Sequence, residues 1–327
     1  MNHSQPTLPI DWSLVDPLGE ALQHLRMNGL FYCHSELAGT WGATLPPMEG
    51  YLMFHVVLTG HCWLDIPGCD PLLLKPGEFA MVPHGEGHNI QDDPQTACVD
   101  LFSLEREELS DRYERLKYGT QGERTTMICG AVHFEHPAAS RLLTLLPHVI
   151  HVTKWGDIEG EWVQSTLRML ELETRTMRPG GDAVITRLAD ILVLQTLRWW
   201  IQHEKDKQEG WLGALQDERI GRAMALIHRH PERDWTVPLL ASEVAMSRSG
   251  FSARFTQLVG EPPMKYLTYW RMQLAWEQLR EDAQLSLYTL ADKLGYRSEA
   301  AFSRAFKRHT GISPGAARKQ LPSVHPQ

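Results

Sequence analysis

A chain of 327 residues with 43% hydrophobic residues has the composition of a soluble globular protein and is long enough for two or three domains. No apolar run reaches the ~20 residues that a membrane-spanning helix needs. The first ten residues are polar and contain proline, unlike a basic and apolar signal sequence, so we expect a cytoplasmic protein without membrane contact.

The net charge of -8 is distributed unevenly along the chain. From Trp211 to the end, 16 Lys and Arg stand against 11 Asp and Glu, a net charge of +5. The preceding 210 residues hold 16 basic and 29 acidic residues, a net charge of -13. A basic module on an acidic chain is typical of a protein that contacts a nucleic acid through one domain only.

Short β-rich runs separated by Gly and Pro turns occupy the chain between Gly29 and His136, which predicts a β-barrel or sandwich. The clearest runs are 51–58, 62–66 and 79–82. Residues 77–88 follow the spacing G-x5-P-x-G-x2-H, which resembles the second motif of the cupin β-barrels. We expect the turn at Pro83 and Gly85 to aim His88 inward at the start of the next strand.

A metal-binding cupin also needs a first motif, with an H-x-H pair and a Glu ahead of Gly60. The paired histidines are missing here, and Met53 occupies the position expected for the Glu. Glu49, His55 and His88 remain as scattered candidates, whereas zinc and iron sites need three or four converging ligands. We therefore predict no resident metal or cofactor.

Three histidines of this region are candidates for contact with an effector: His55, His84 and His88. The alternative for each is a hydrogen-bonded histidine inside the barrel. A transition metal held by His55 and His88 is a second alternative. It would make the chain a metal-dependent cupin enzyme that its basic domain tethers to a nucleic acid.

Five cysteines, at positions 33, 62, 69, 98 and 129, form no CxxC pair, and reduced thiols are expected in the cytosol. The polar neighbours of Cys33, which include His34 and Glu36, indicate a strand edge or a loop. A nearby imidazolium there would lower the thiol pKa and make Cys33 a redox sensor. An inert thiol is the alternative.

Helical periodicity replaces the strand pattern between residues 141 and 203, and the breaker at 178–181 divides it into helices at 161–178 and 182–203. The second helix carries a wide apolar stripe, which either packs on the barrel or forms a dimer interface. Its members are Val184, Leu188, Ile191, Leu192, Gln195, Trp199 and Trp200. The hydrophilic run 203–210 is the predicted linker.

The last third of the chain contains one helix-turn-helix pattern twice. In each copy, a short helix ends at a turn, a Ser caps a second helix whose two Phe lie four apart, and a Gly ends that helix. The matching residues are Leu240 and Leu290, Phe251 and Phe302, Phe255 and Phe306, Gly260 and Gly311, and Pro263 and Pro314. The offset is 50 at the Leu pair and 51 from the Phe pairs onward, so the extra residue lies in the turn, where insertions are tolerated.

Burial of the Phe pairs places small and polar side chains on the opposite face of each second helix. These side chains are Ser249, Ser252, Ala253 and Thr256 in the first copy, and Ala300, Ser303, Arg304 and Lys307 in the second. Such a face fits the major groove of DNA. A helical hairpin repeat without a ligand is the alternative.

A long helix is predicted over 262–281, where apolar residues recur at helical spacing with Lys265, Arg271 and Arg280 among them. A rigid connector of this kind would hold the two second helices a fixed distance apart. Because successive major grooves on one face of DNA lie about 34 Å apart, one chain could read two of them.

A cupin-like barrel, a helical pair and a twin helix-turn-helix together resemble the AraC/XylS family of transcription regulators, over nearly the whole chain. The motifs at 246–249 and 295–299 carry much of this resemblance. It implies base-reading residues at Ser249, Ser252, Ala253, Ala300, Ser303 and Arg304. We add Arg248, Ser298, Glu299 and Lys307 as DNA-contacting residues, and we expect the Arg304 guanidinium to read guanine.

We therefore predict an α+β multidomain chain, with a cupin-like sensing barrel over 1–145, a helical linker and possible dimerisation region over 146–210, and a DNA-binding domain over 211–327. Its function is sequence-specific regulation of transcription in response to a small molecule or a redox signal. The expected partners are double-stranded DNA, a second copy of the chain, RNA polymerase and an unidentified effector.

Overall fold

The computed structural model describes residues 27–134, 143–176, 178–203, 211–282 and 284–320. These residues divide into a strand unit, which ends at residue 203, and a helical unit, which begins at residue 211. The two helices of the predicted 146–210 region cluster with the strands, while positions 204–210 of the predicted linker lie outside the described residues. No helix in the described part of the chain is long and apolar enough to span a bilayer.

Two mixed sheets, rather than one closed barrel, form the strand unit within the described residues. In chain order the strands are β1 (Met27–Ala38), β2 (Gly42–Leu45), β3 (Tyr51–Thr59), β4 (Cys62–Asp65), β5 (Leu72–Leu74), β6 (Phe79–Val82), β7 (His88–Gln91), β8 (Val99–Asp100), β9 (Arg106–Ser110), β10 (Tyr113–Tyr118), β11 (Arg124–Phe134) and β12 (Ile150–Val152). The larger sheet has the order β12-β6-β3-β11-β1-β10-β9, and the smaller has the order β5-β4-β7-β2-β8. The β-rich runs that the sequence pattern indicates are confirmed.

One apolar core lies between the two sheets. Met53 and Val57 of the larger sheet and Ala43 and Leu64 of the smaller sheet belong to the same buried cluster. Alternating strand residues therefore bury one face of each sheet against the other.

Strand β1 separates this core from a second layer, because its successive side chains point to opposite faces. Two helices, α1 (Asp157–Thr176) and α2 (Gly181–His203), contact the outer face of the larger sheet. The Tyr32 hydroxyl lies 3.5 Å from Asp190 of α2, and Arg115 of β10 donates to the Thr174 carbonyl of α1 at 3.2 Å.

The apolar stripe predicted for α2 is rotated by about one residue from the face that the helix buries. Leu192 and Trp200 are buried as predicted, but Val184 is 38% exposed, and Leu188, Ile191, Gln195 and Trp199 are half-buried. The buried face instead includes Ile185, Ala189, Val193 and Leu197. Apolar residues occupy both faces of α2, so helical periodicity alone does not distinguish them.

The helical unit confirms the predicted repeat. Its helices are α3 (Trp211–Gln216), α4 (Glu218–Arg229), α5 (Val237–Glu243), α6 (Arg248–Val259), α7 (Pro263–Glu281), α8 (Leu287–Lys293), α9 (Glu299–Thr310) and α10 (Pro314–Gln320). Helices α5 and α6 form the first helix-turn-helix, and α8 and α9 form the second. We call α6 and α9 the first and second recognition helices, and α7 the connector helix.

Both recognition helices begin and end as predicted. Ser247 accepts a hydrogen bond from the Gly250 N–H and Ser298 accepts one from the Ala301 N–H, each at 3.2 Å. Gly260 and Gly311 end the helices in the left-handed conformation, with φ of 81° and 82°. The four Phe are fully buried: Phe251, Phe255, Phe302 and Phe306.

Arg271 of the connector helix links the two bihelical units. Its guanidinium donates to the carbonyls of Pro231, at 2.7 Å, and Arg233, at 2.9 Å, in the loop that leads into the first unit. The same group lies 5.6 Å from the ring centroid of Tyr296, in the turn of the second unit. These contacts hold the loop before the first helix-turn-helix against the turn of the second helix-turn-helix.

Gly295 brings the same two segments into close contact, and its replacement tests the link. It has φ of 72°, and an added Cβ would lie 2.3 Å from the Glu232 carbonyl oxygen. We predict that Gly295→Ala lowers the free energy of unfolding of the helical unit by more than the ~1 kcal/mol that left-handed strain alone costs. Gly311→Ala is the matched control, because it has φ of 82° with open space around it. Equal losses in urea denaturation of the two variants would contradict the close approach.

Candidate nucleic-acid interface and buried histidines

The first recognition helix exposes the small residues that the sequence pattern assigns to its outer face. Ser249 and Ala253 are exposed, Ser252 is half-buried, and Arg248 is exposed at the start of the helix. Because no long side chain stands between these positions, the backbone of α6 can approach a surface closely. This geometry suits contact by shape and by apolar groups more than long-range hydrogen bonding.

The second recognition helix presents a longer and more basic face. Arg304 and Lys307 are exposed and have no ion-pair or hydrogen-bond partner among the described residues. Ala300 and Glu299 are exposed beside them, and Ser303 is half-buried. Two unpaired cations on a capped helix form an anion-seeking surface.

Arg254 of the first recognition helix is held differently. Its guanidinium donates to the Asp217 carboxylate at 3.1 Å and 3.2 Å, and the same carboxylate caps α4 by accepting from the Ile220 N–H at 2.9 Å. Partial burial raises the pKa of Asp217, but these hydrogen bonds outweigh it and leave the pKa below its ordinary value. Arg254 therefore serves the packing of the helical unit and is less available to a ligand than Arg304.

In the strand unit, two of the three candidate effector histidines contact each other, and their remaining ring nitrogens also have partners. His55 and His88 are buried, with exposures of 0% and 2%, and their Nε2 atoms lie 2.7 Å apart. His55 Nδ1 lies 3.1 Å from Cys129 Sγ, and His88 Nδ1 lies 2.8 Å from the Glu86 carbonyl oxygen.

One arrangement of protons satisfies this whole chain of contacts. A carbonyl only accepts, so His88 Nδ1 donates to Glu86, and His88 Nε2 must then accept from His55 Nε2. His55 Nδ1 is left as an acceptor, and the Cys129 thiol donates to it. Burial lowers the pKa of both imidazoles and raises that of the Cys129 thiol, so all three groups are neutral.

His84 lies apart from this pair. Its Nε2 is 3.0 Å from the Leu146 carbonyl oxygen, and its ring centroid is 6.1 Å from that of His148. The structure therefore does not bring the three candidate histidines into one site. In the described part of the chain, no group of three or more His, Cys, Asp or Glu is placed to hold a metal ion.

The expectation for Cys33 is wrong in its physical basis. Cys33 lies in the middle of β1, which is paired on both sides, and its side chain is 5% exposed in the core between the sheets. Burial raises the pKa of the thiol to about 11, with Ser35 as a partner at 3.6 Å. Of the polar neighbours that suggested an edge, His34 and Glu36 point to the outer face of the larger sheet. Ser35 is buried beside Cys33.

Comparison with known proteins matches both units. A cupin family model covers residues 16–202, and a helix-turn-helix family model covers residues 240–320. The transcriptional regulator AlkR of Acinetobacter baylyi is 31% identical over 94% of this chain and 100% of its own length. A putative AraC-like transcription regulator of Streptomyces lividans is 33% identical over 93% of this chain and 98% of its own. The RCS-specific transcriptional activator RclR of Escherichia coli is 25% identical over 95% of this chain and 100% of its own length.

Replacement of His55 tests the buried hydrogen-bond chain. His55→Ala leaves a cavity and removes the partner of both Cys129 and His88, so we predict a fall in the free energy of unfolding of roughly 2–5 kcal/mol. His84→Ala is the control, since it removes a half-buried imidazole with a single carbonyl contact, and it should cost clearly less.

The same variant should also flatten the pH dependence of stability. The native imidazole has a lowered pKa, so between pH 7.5 and 5.5 the unfolded chain takes up a proton at about pH 6.5 that the native chain does not. Stability is therefore fully present above that pH and is lost as the pH falls. Urea denaturation at both pH values checks this, and an unchanged slope in His55→Ala would contradict the neutral buried pair.

Proposed function

The chain belongs to the AraC-like family of helix-turn-helix transcription regulators, with an N-terminal cupin domain, and from this we propose how its helical unit recognises DNA. As a member of this family it is a regulator and not an enzyme. We propose that the two recognition helices enter consecutive major grooves on one face of double-stranded DNA. The observation that carries this proposal is the pair of capped, outward-facing helices joined by one connector helix.

The second recognition helix supplies direct readout in this proposal. Arg304 donates through both prongs of its guanidinium to guanine O6 and N7. Ala300 lies one turn earlier on the same face, Ser303 immediately precedes Arg304, and both contact neighbouring base edges. Ser298 and Glu299 lie at the start of the helix, beside the sugar-phosphate backbone of the DNA. Lys307, one turn beyond Arg304, contacts a phosphate.

The first recognition helix reads its groove with small groups. Ser249 and Ser252 offer hydroxyls that both donate and accept, and the Ala253 methyl fits against a thymine methyl. Arg248, exposed at the first position of the helix, contacts a phosphate. Discrimination by this helix is weaker than by the second, because none of its base-facing groups makes a two-pronged contact.

The spacing of the two helices comes from the connector and from Arg271. The contacts of Arg271 with the Pro231 and Arg233 carbonyls and with the Tyr296 ring support a single arrangement of the two helix-turn-helix units. A fixed arrangement favours operators whose two half-sites are about one helical turn apart, or about 34 Å.

We also propose that the regulator acts as a homodimer in the cytoplasm. Exposed apolar side chains on α1 support a protein contact through the strand unit. They are Trp162, Met169 and Leu172, each about half exposed. The contact with RNA polymerase stays a prediction from the family resemblance.

Arg304→Ala tests direct readout. We predict that affinity for the preferred operator falls by roughly 1–3 kcal/mol and that base preference relaxes at one position, because the guanine contact is lost. Electrophoretic mobility or fluorescence anisotropy with operators randomised at single positions measures both effects.

Arg304→Lys is the matched control, since it keeps the charge but loses the two-pronged geometry. It should lose the base preference while its affinity for non-specific DNA stays unchanged. An equal loss of affinity for every DNA sequence in Arg304→Ala, restored in Arg304→Lys, would show that Arg304 contacts only phosphate.

Lys307→Ala tests the phosphate contact. Neutralising one phosphate contact should make the dependence of log affinity on log salt concentration shallower by about one unit, with base preference unchanged. Lys154→Ala makes the same charge change at an exposed position of the strand unit and is the control. If Lys307→Ala and Lys154→Ala leave the same salt slope, the assignment of Lys307 is wrong.

A further inference from the structure

A cavity of about 420 Å³ lies at the outer face of the larger sheet, away from the three histidines expected to contact an effector. Its floor is formed by β1, β10 and β11, which are neighbours in the sheet, and Glu171 of α1 lies at its wall. The volume falls within the range of small-molecule sites.

His34 is the feature of this cavity that points to a ligand. The residue is 2% exposed, and neither ring nitrogen has a hydrogen-bond partner among the described residues. The Glu36 carboxylate lies 3.8 Å from Nδ1, which is beyond hydrogen-bond distance. Buried polar groups are rarely left unpaired, so this imidazole lacks the partner that its burial requires.

The protonation state of His34 defines what that partner must offer. Burial lowers the pKa of His34, and it does so although the Glu36 carboxylate raises that pKa more than the Arg115 guanidinium lowers it. The imidazole is therefore neutral, with one nitrogen that donates and one that accepts. The two nitrogens point in different directions, so each needs its own partner: an acceptor for the N–H and a donor for the other nitrogen. A hydroxyl or an amide can fill either role.

Charges of both signs lie beside His34 on the cavity floor. The strand register places Glu36 between Lys117 of β10 and Thr126 of β11, and places Arg124 beside Ala38 in the next row. Strands are about 4.8 Å apart and rows on one face about 7 Å apart. Lys117 and Arg124 are exposed and have no ion-pair partner among the described residues.

We propose that this cavity binds a small zwitterion of the α-amino acid class. The ligand carboxylate lies against Lys117 and Arg124, its ammonium group lies against Glu36, and its polar side chain pairs with His34. A simple anion would satisfy the cations but would be repelled by Glu36, and a neutral polyol would compensate neither Glu36 nor the two cations. This proposal goes beyond DNA recognition, because it identifies the chemical class of an effector that the strand unit would bind.

Binding is tested on the full-length protein with the L-amino acids as probes, each at about 10 mM. This concentration exceeds dissociation constants in the micromolar to low millimolar range. We expect at least one amino acid with a polar side chain to raise the unfolding temperature of the strand unit by about 3 °C or more and to bind with one-site stoichiometry in calorimetry. The N-acetyl amide of the same amino acid, which lacks both charges, should have no effect. If none of the amino acids shifts the unfolding temperature, the proposal is overturned.

Variants of the cavity locate the binding. We expect the dissociation constant to rise at least tenfold in each of three variants, Glu36→Gln, Arg124→Gln and His34→Phe. It should stay unchanged in two controls, Glu49→Gln and Lys154→Gln. These controls make matched charge changes at exposed positions outside the cavity lining. Glu36 and Arg124 are exposed, so their variants remain informative even where His34→Phe fails to fold. Unchanged binding in both of these charge variants would place the ligand elsewhere and overturn the proposal. The measurement contains no DNA, so its outcome is independent of the recognition helices.

Discussion

The link that Arg271 makes between the two helix-turn-helix units is the constraint on which the DNA-binding geometry depends. Each bihelical unit buries its own Phe pair, so burial of these rings does not by itself fix how the two bihelical units are arranged. The two carbonyls and the ring beside the Arg271 guanidinium restrict that arrangement, because a partly buried charge is costly without such partners. A pair of reading surfaces at one fixed spacing follows from that contact.

The local features of the helical unit could be predicted from the sequence because they depend on residues within one or two turns. Ser247 and Ser298 cap their helices through N–H groups three residues on, and Gly260 and Gly311 end them through a backbone conformation that glycine adopts without strain. The role of Arg271 could not be predicted in the same way. Its acceptors lie about 40 residues earlier in the chain, so helical spacing indicated only another basic residue on the connector.

In the strand unit, pairing between distant strands decided what the sequence pattern could not. Polar neighbours suggested an edge for Cys33, but β10 and β11 pair with both sides of β1 and bury the thiol. The same pairing places His34 on the opposite face, where it is 2% exposed. His55 and His88, which were candidates for an effector contact, satisfy each other and leave no open group. The buried imidazole that lacks hydrogen-bond partners among the described residues is His34, which lies outside the cupin-like motif.

These features assign different tasks to different surfaces of one regulator. Unpaired cations and small side chains face outward on α6 and α9, where we propose that DNA binds. The neutral His55 and His88 pair lies in the core, and the charged surface around His34 is where we propose that a small ligand binds. In the proposed function, each chain reads two consecutive major grooves. Protection of guanine N7 from methylation by the bound protein measures this most directly. We expect each bound chain to protect two clusters on one face of the duplex, about one helical turn or 10–10.5 base pairs apart. A single protected cluster for each bound chain would contradict the proposed two-groove reading.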